Sequence, residues 1–239
     1  MNMEISEILK AYQEGERNFA QVKLLEAEIL KENLSSSDFS RSDLRQARLG
    51  RTNFRHSNFT EADLSEAILW GTDLSEAMLF QVLLRDADLS SAKLIKTNLE
   101  KANLIKTIFC GANLTSANLS NSIIIDGDFR PNSEQQTNLT QANFSNANLS
   151  YANLSHALLY QANLNGAKLC RANLSMGIKY KNLPTDLTNA SLCGSDLSYA
   201  DLTGAILVNA NLEGADITGT ILKNVNLQGA IMPDGSKNQ

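Results

Sequence analysis

The side chains able to do chemistry are few and far apart. The cysteines are Cys110, Cys170 and Cys193, and the histidines are His56 and His156. No two of them stand at a metal-ligand spacing, where paired donors share one turn or loop. A nucleophile needs a base within hydrogen-bond reach. No Ser/His/Asp grouping and no phosphate-cradling glycine loop suggests one. The reading is therefore not an enzyme, with no catalytic residue, no cofactor and no metal. Candidates for partner contact remain. Trp70 and Phe80 are the aromatic type that anchors interfaces. Lys179, Tyr180 and Lys181 lie in a break in the sequence pattern, and loops on rigid scaffolds often carry function.

The pattern that must position these residues is a period of five. A large apolar residue returns every fifth position, with a small residue two places before it and often Asn or Asp one place before it. There are 41 such centres, from Phe19 to Phe129, Leu139 to Leu174 and Leu187 to Met232, each Leu, Phe, Ile or Met. The small position departs from Ala, Ser, Thr, Gly or Val only at Arg17 and Glu32. A helix turns about 100° per residue, so residues five apart form no stripe. In a flat strand they point to opposite faces. A three-residue strand followed by a two-residue corner satisfies the pattern. In Ala112-Asn113-Leu114, Ala and Leu point inward and Asn outward, and Thr115-Ser116 turns the chain.

A-(D/N)-L-x-x in tandem resembles the signature of the pentapeptide repeat family, over roughly nine-tenths of the chain. The resemblance implies an all-β solenoid, a right-handed quadrilateral β-helix with four pentapeptides per square coil. Phe19, Phe39 and Phe59 are 20 residues apart, as are Phe109 and Phe129, so each set should stack up one face. Forty-one units make about ten coils and a rod roughly 50 Å long at about 4.8 Å per coil.

Residues 1–17 read as a capping helix and turn, with Ile5, Ile8, Leu9 and Tyr12 on one face and a stop at Gly15. A partner-recognition helix is the alternative. The helix followed by Gly-Glu-Arg-Asn-Phe at 15–19 resembles the opening of cyanobacterial members of the family. Residues 18–232 read as the β-helix. Within them 20–33 suit a coil by register and a helix by composition, the coil being favoured. Two loops interrupt the rod. Near 130–136 the next centre would be Glu134, which cannot sit unpaired in an apolar core. Near 175–185 the register itself changes. Residues 233–239 read as a polar tail.

All three cysteines directly follow a centre, which places them at outward corners. Cys110 and Cys170, three coils or roughly 14 Å apart, are too distant for a disulfide. His56 and His156 read as solvated corner residues. Trp70 and Phe80 should point outward from opposite faces. No apolar run of membrane-spanning length and no secretory leader is visible, so a cytoplasmic protein is expected.

Net charge is −5, spread in blocks. Arg41, Arg45, Arg48, Arg51 and Arg55 stand against Asp43; Glu61, Asp63, Glu66, Asp73 and Glu76 follow. A solvated, partly salt-bridged face is expected, and direct nucleic-acid binding is not. The leading function is a non-enzymatic scaffold or protein-interaction module with an unknown protein partner, no small-molecule substrate and no membrane. The alternative comes from the resemblance: some family members imitate DNA and regulate gyrase, a type II topoisomerase. That mimicry needs a sustained acidic rod, which these alternating blocks do not make.

Overall fold

The computed structural model describes residues 3–177 and 183–239. Helix α1, Ile5–Gln13, precedes the solenoid. From Asn18 onward the elements are short parallel bridges to the coil above, 20 residues on outside the insertions, as in Asn18↔Asp38 and Asp38↔Asn58. Four sides alternate with four corners. The first side carries Phe19, Phe39 and Phe59, the second Leu24, the third Ile29 and the fourth Leu34, and each corner is named here for the side it follows. Residues 20–33 belong to the first coil, since Lys23, Glu28 and Asn33 bridge Asp43, Arg48 and Asn53.

One unit, Ala62 to Glu66, shows why five residues suffice. Ala62 N–H closes the turn to Phe59 carbonyl (3.0 Å), and Asp63 N–H donates down to Ser42 carbonyl (2.9 Å). Leu64 and Glu66 N–H donate up to the carbonyls of Leu83 and Arg85 (2.7 and 2.8 Å). The fifth, Ser65 N–H, donates to Asp63 Oδ1 (2.9 Å). Every backbone donor of this unit therefore has an acceptor. The recurrent Asn or Asp is the local acceptor that completes the set.

The corners carry strain. Among the described residues thirty non-glycine positions have a positive φ, between 55° and 64°, each the second residue after a centre. This is the third position of a type II-like turn, which glycine normally fills. The left-handed region costs an L-residue about 1–2 kcal/mol. The bond that the same residue donates to the coil above returns a comparable amount.

Inside, leucines and alanines are buried along most of the length. The phenylalanine ladders form. Centroids are 5.4 Å apart for Phe19–Phe39 and Phe39–Phe59, and 4.9 Å for Phe109–Phe129, all stacked. Several inward hydroxyls are satisfied from below, as where Thr107 Oγ1 donates to Leu84 carbonyl at 2.7 Å. Helix α1 closes the lower end with Ile8 buried. Arg17, an exception at the small position, donates to Tyr12 carbonyl (2.8 Å) and lies 3.7 Å over the Tyr12 ring. Glu32, the other exception, is exposed in the first coil, with no coil beneath it. The polar C-terminal residues fold back on the last coil. Asn238 N–H donates to Ala230 carbonyl (2.8 Å), and Lys237 forms an antiparallel bridge with Ile231.

Both interruptions leave the rod at its third corner, and both re-enter through a threonine. After the first, Asn138 bridges Asn113, and after the second Asp186 bridges Leu158. Thr137 Oγ1 accepts Gly111 N–H (2.8 Å) and faces the carbonyls of Phe109 (3.1 Å) and Arg130 (3.0 Å). Thr185 Oγ1 accepts His156 N–H (2.8 Å) and faces those of Leu154 (3.5 Å) and Ser175 (3.3 Å). Each hydroxyl supplies an acceptor to the corner below at the point where the strand above is displaced.

Thr137→Val and Thr185→Val should each destabilise by about 1–2 kcal/mol in chemical denaturation, because a buried hydrogen bond to the corner N–H is lost. Ser195, whose buried Oγ has no partner among the described residues, should tolerate Ala with no loss of stability. Ala152→Phe should cost about 1–3 kcal/mol by overpacking, and Ser150→Ala on the outside should stay within about 0.5 kcal/mol.

Candidate interaction surface

The chemistry-bearing residues are not brought together. Cys110 is half-buried, with its thiol 4.0 Å from the Asp128 carbonyl. Burial, followed by the Asp128 charge, pushes its pKa up to about 12, so it stays a neutral thiol. Cys170 and Cys193 are free thiols and partly buried. His56 lies at the surface, with Nδ1 3.8 Å from a Glu76 carboxylate oxygen. His156 corrects the sequence expectation. It is only 4 % exposed, with Gly177, Leu183 and Thr185 packed against it. Its Nδ1 pairs with Leu183 carbonyl, and a Cβ on Gly177 would fall 2.8 Å from its Nε2. Among the described residues no group of three His, Cys, Asp or Glu could hold a metal.

The grooves along the rod are shallow. One, of about 310 Å³, runs beneath the first insertion and is lined by Arg55, Asp73, Lys93 and Gln135 among others. Its lining mixes Arg55 and Lys93 with Asp73, Ser75 and Ser91. Asn132 Nδ2 holds that loop to Ser91 Oγ (2.9 Å). A Cβ on Gly111 would clash with the same Asn132 side chain, so any other residue at this corner must displace that side chain.

Stacking at 20 residues also turns the charge blocks into vertical pairs. Arg41 Nε lies 2.9 Å from Glu61, Arg48 3.2 Å from Glu28, and Arg55 3.3 Å from Glu76. Arg45 pairs with Asp43 at 2.7 Å. These are exposed pairs, each worth little in stability. Their effect is to cancel both signs locally, so no side of the lower rod is uniformly acidic or basic.

The candidate contact residues divide. Lys179, Tyr180 and Lys181 lie outside the described residues. Trp70 sits on the third corner, 41 % exposed, with the Arg51 guanidinium 4.3 Å from its ring. Phe80 is on the first corner, half a coil away and partly buried, with Lys101 Nζ 5.4 Å from its ring. The two form no common patch.

Sequence reasoning missed a different concentration, on the second corner. Successive coils place there Ile105, Ile125, Tyr151, Arg171 and Tyr199. Lys106 N–H donates to Ile125 carbonyl, Asp126 to Ser150, Tyr151 to Cys170 and Arg171 to Ser198. Tyr151 and Tyr199 are 52 % and 58 % exposed. The Arg171 guanidinium lies between them, 5.9 Å from one ring and 5.7 Å from the other. Beside this corner Leu83, Ile108 and Ile123 are exposed at outward positions where Asn or Asp usually stands. The signal was present, since each breaks the A-(D/N)-L rule. Periodicity of five alone does not say that residues 20, 25 or 28 apart share a corner.

A square coil of inward Leu and Ala with outward Asx residues and left-handed corners defines a class. The chain belongs to the pentapeptide repeat family. The family model, pentapeptide repeats, matches residues 33–71, 57–94, 83–121, 92–130, 137–175, 185–224 and 195–234. It is 56% identical, with a TM-score of 0.98, to HetL, a pentapeptide repeat protein involved in heterocyst differentiation regulation from the cyanobacterium Nostoc sp. strain PCC 7120. That match covers 99% of this chain and 100% of HetL. The fold is thus the right-handed quadrilateral β-helix. A second Nostoc pentapeptide repeat protein, alr5209, is 32% identical over 43% of this chain and 82% of its own, with a TM-score of 0.40. QnrB1, a plasmid-mediated fluoroquinolone resistance protein, is 18% identical over 87% of this chain and 91% of its own, with a TM-score of 0.42. No curated protein matches the sequence.

The start of the first insertion sets a pH dependence. Burial pushes the Asp128 carboxyl up, but hydrogen bonds from the Arg130 side chain and N–H outweigh it and hold it below the usual carboxylate range. A depressed folded pKa adds stability above the unfolded value of about 3.9 and loses it as pH falls through the folded value. Asp128→Asn should therefore lower the melting temperature at pH 7. It should also reduce the further loss between pH 7 and pH 3 relative to wild type.

Proposed function

We propose that this protein is a non-enzymatic interaction module, a rigid rod that presents outward side chains to a protein partner in the control of cell differentiation. One observation carries the first part. The inward positions are committed to packing, so variation in chemistry is confined to the outer surface, which is convex and offers only shallow grooves to a small molecule. The second part rests on full-length similarity to HetL, whose role lies in heterocyst differentiation regulation. No helix among the described residues is long and apolar enough to cross a membrane, and we place the protein in the cytoplasm. Trp70, Phe80 and the Lys179–Tyr180–Lys181 segment remain candidate contacts.

Topoisomerase regulation by DNA mimicry is disfavoured by the charge pairing, because a rod whose arginines neutralise the carboxylates above and below them does not copy a line of phosphates.

Expression of this chain in Nostoc sp. strain PCC 7120 from an inducible promoter should change the frequency of heterocysts along the filament. An unchanged frequency at verified protein levels would count against the regulatory reading. In a gyrase supercoiling assay, with and without a quinolone, low-micromolar protein should have no effect. Inhibition or protection there would instead favour DNA mimicry.

A further inference from the structure

We propose that the second corner, from Ile105 to Tyr199, is the docking edge of the rod, and that its occupant is an extended protein segment carrying apolar side chains and one carboxylate. This deepens the interaction-module reading and rests on it.

Three observations converge. The first is composition. Tyr and Arg dominate interface hot spots, and here two exposed tyrosines hold one arginine between them. Rigid tyrosines lose little side-chain entropy on contact.

The second is local cost. In the regular repeat the outward Asn or Asp accepts the N–H two residues on, as Asp63 does for Ser65. Leu83, Ile108 and Ile123 give up that bond and expose apolar surface in its place. Packing of the rod does not require them, because they point away from the core. They adjoin the same corner as Ile105 and Ile125.

The third is charge. Arg41, Arg45, Arg48, Arg55, Arg85 and Arg130 are each paired with a carboxylate. Arg171 is not. Among the described residues its guanidinium meets only the two tyrosine rings, so its donor fork is open to a carboxylate, which it matches bidentately.

The spacing gives the occupant a shape. At about 4.8 Å per coil, Arg171 lies roughly 10 Å from Ile125 and 14 Å from Ile105. An extended chain advances about 3.3 Å per residue. Its side chains alternate between faces, so the apolar residue that meets Ile105 from the same face as the acid should lie about four positions from it. A nucleic acid fits less well. On the same corner Asp126 offsets Lys106, and on the adjoining side Asp196 stacks on Lys168, so no run of positive charge matches a line of phosphates. Arg51 on Trp70 is the other aromatic-held arginine on a corner of the coils, but it stands on the third corner among the paired charges of the lower rod.

The test is selection of a random dodecapeptide library displayed on phage against the intact protein. Affinities of the selected peptides are then measured by fluorescence anisotropy. Selected peptides should carry Asp or Glu with an apolar residue about four positions away. Arg171→Glu should weaken them at least tenfold, and exchanging the peptide's acid for Lys should restore binding to that variant. Tyr151→Ala with Tyr199→Ala should weaken binding similarly, and Trp70→Ala should not. All these side chains are exposed, and unchanged melting temperatures would verify that each variant folds. Peptides that ignore Arg171 and Tyr151 but are lost with Trp70→Ala would overturn this assignment while leaving the interaction-module reading intact. Enrichment of no peptide would count against both. An oligonucleotide of dT that binds wild type and is lost with Arg171→Glu would also overturn it, making the ladder a base-stacking surface.

Discussion

The structure depends on pairing the backbone donors of each repeat, all five of them in a regular A-(D/N)-L unit. Three of them reach a neighbouring coil, one closes the turn and one is taken by the outward Asn or Asp. A coil alone leaves most of these unmet, and the left-handed corners add about 1–2 kcal/mol of strain each. Only stacking returns that energy, since each added coil supplies acceptors above and donors below. The rod is therefore cooperative between neighbours and stiff along its axis, as expected of a solenoid. Its ends need special treatment: helix α1 with Arg17 at the bottom, and the folded-back chain at Ile231–Asn238 at the top.

Departures from the repeat are informative because the rule is so tight. The two insertions leave from one corner and rejoin through Thr137 and Thr185, whose hydroxyls stand in for the missing strand contacts. Gly111 and His156 lie below these points, one without a side chain and the other with its ring buried under the loop. The departures at Leu83, Ile108 and Ile123 are of another kind. They give up a local hydrogen bond and gain no burial, which marks the outside of the rod as the part with work beyond folding.

A scaffold of this sort separates two tasks. Core positions accept Leu, Phe and Ala for shape, and the outer positions are free to vary. The lower rod uses that freedom to pair charges vertically, which keeps its surface electrically mixed. The upper rod holds Tyr151, Arg171 and Tyr199 in a column on one corner, with Ile105 and Ile125 below. Kinship with HetL places such a surface in a family whose cyanobacterial members include a protein of differentiation regulation, and the outer face is where recognition would have to reside.

The sequence by itself determined the coil. A period of five excludes helix and flat strand, the family resemblance implied four units per turn, with which the phenylalanines 20 apart agree, and Glu134 at a centre position pointed to a loop. The capping helix was legible from Ile5, Ile8, Leu9 and Tyr12. Tertiary structure alone decided what meets across coils. Arg41 and Glu61 read as members of separate charge blocks, yet they pair because they are one coil apart. His156 read as a solvated corner residue and is buried, because Leu183 and Thr185 return over it. The tyrosine–arginine column was hidden for the same reason. Tyr151 and Arg171 are the ordinary 20 residues apart, but the insertions shift the offset to 25 below Tyr151 and 28 above Arg171, so Ile125 and Tyr199 join them on one corner only once the coils are stacked. A repeat is a local property of the chain. A shared corner is a property of contacts between coils, and those follow from the hydrogen-bonded register.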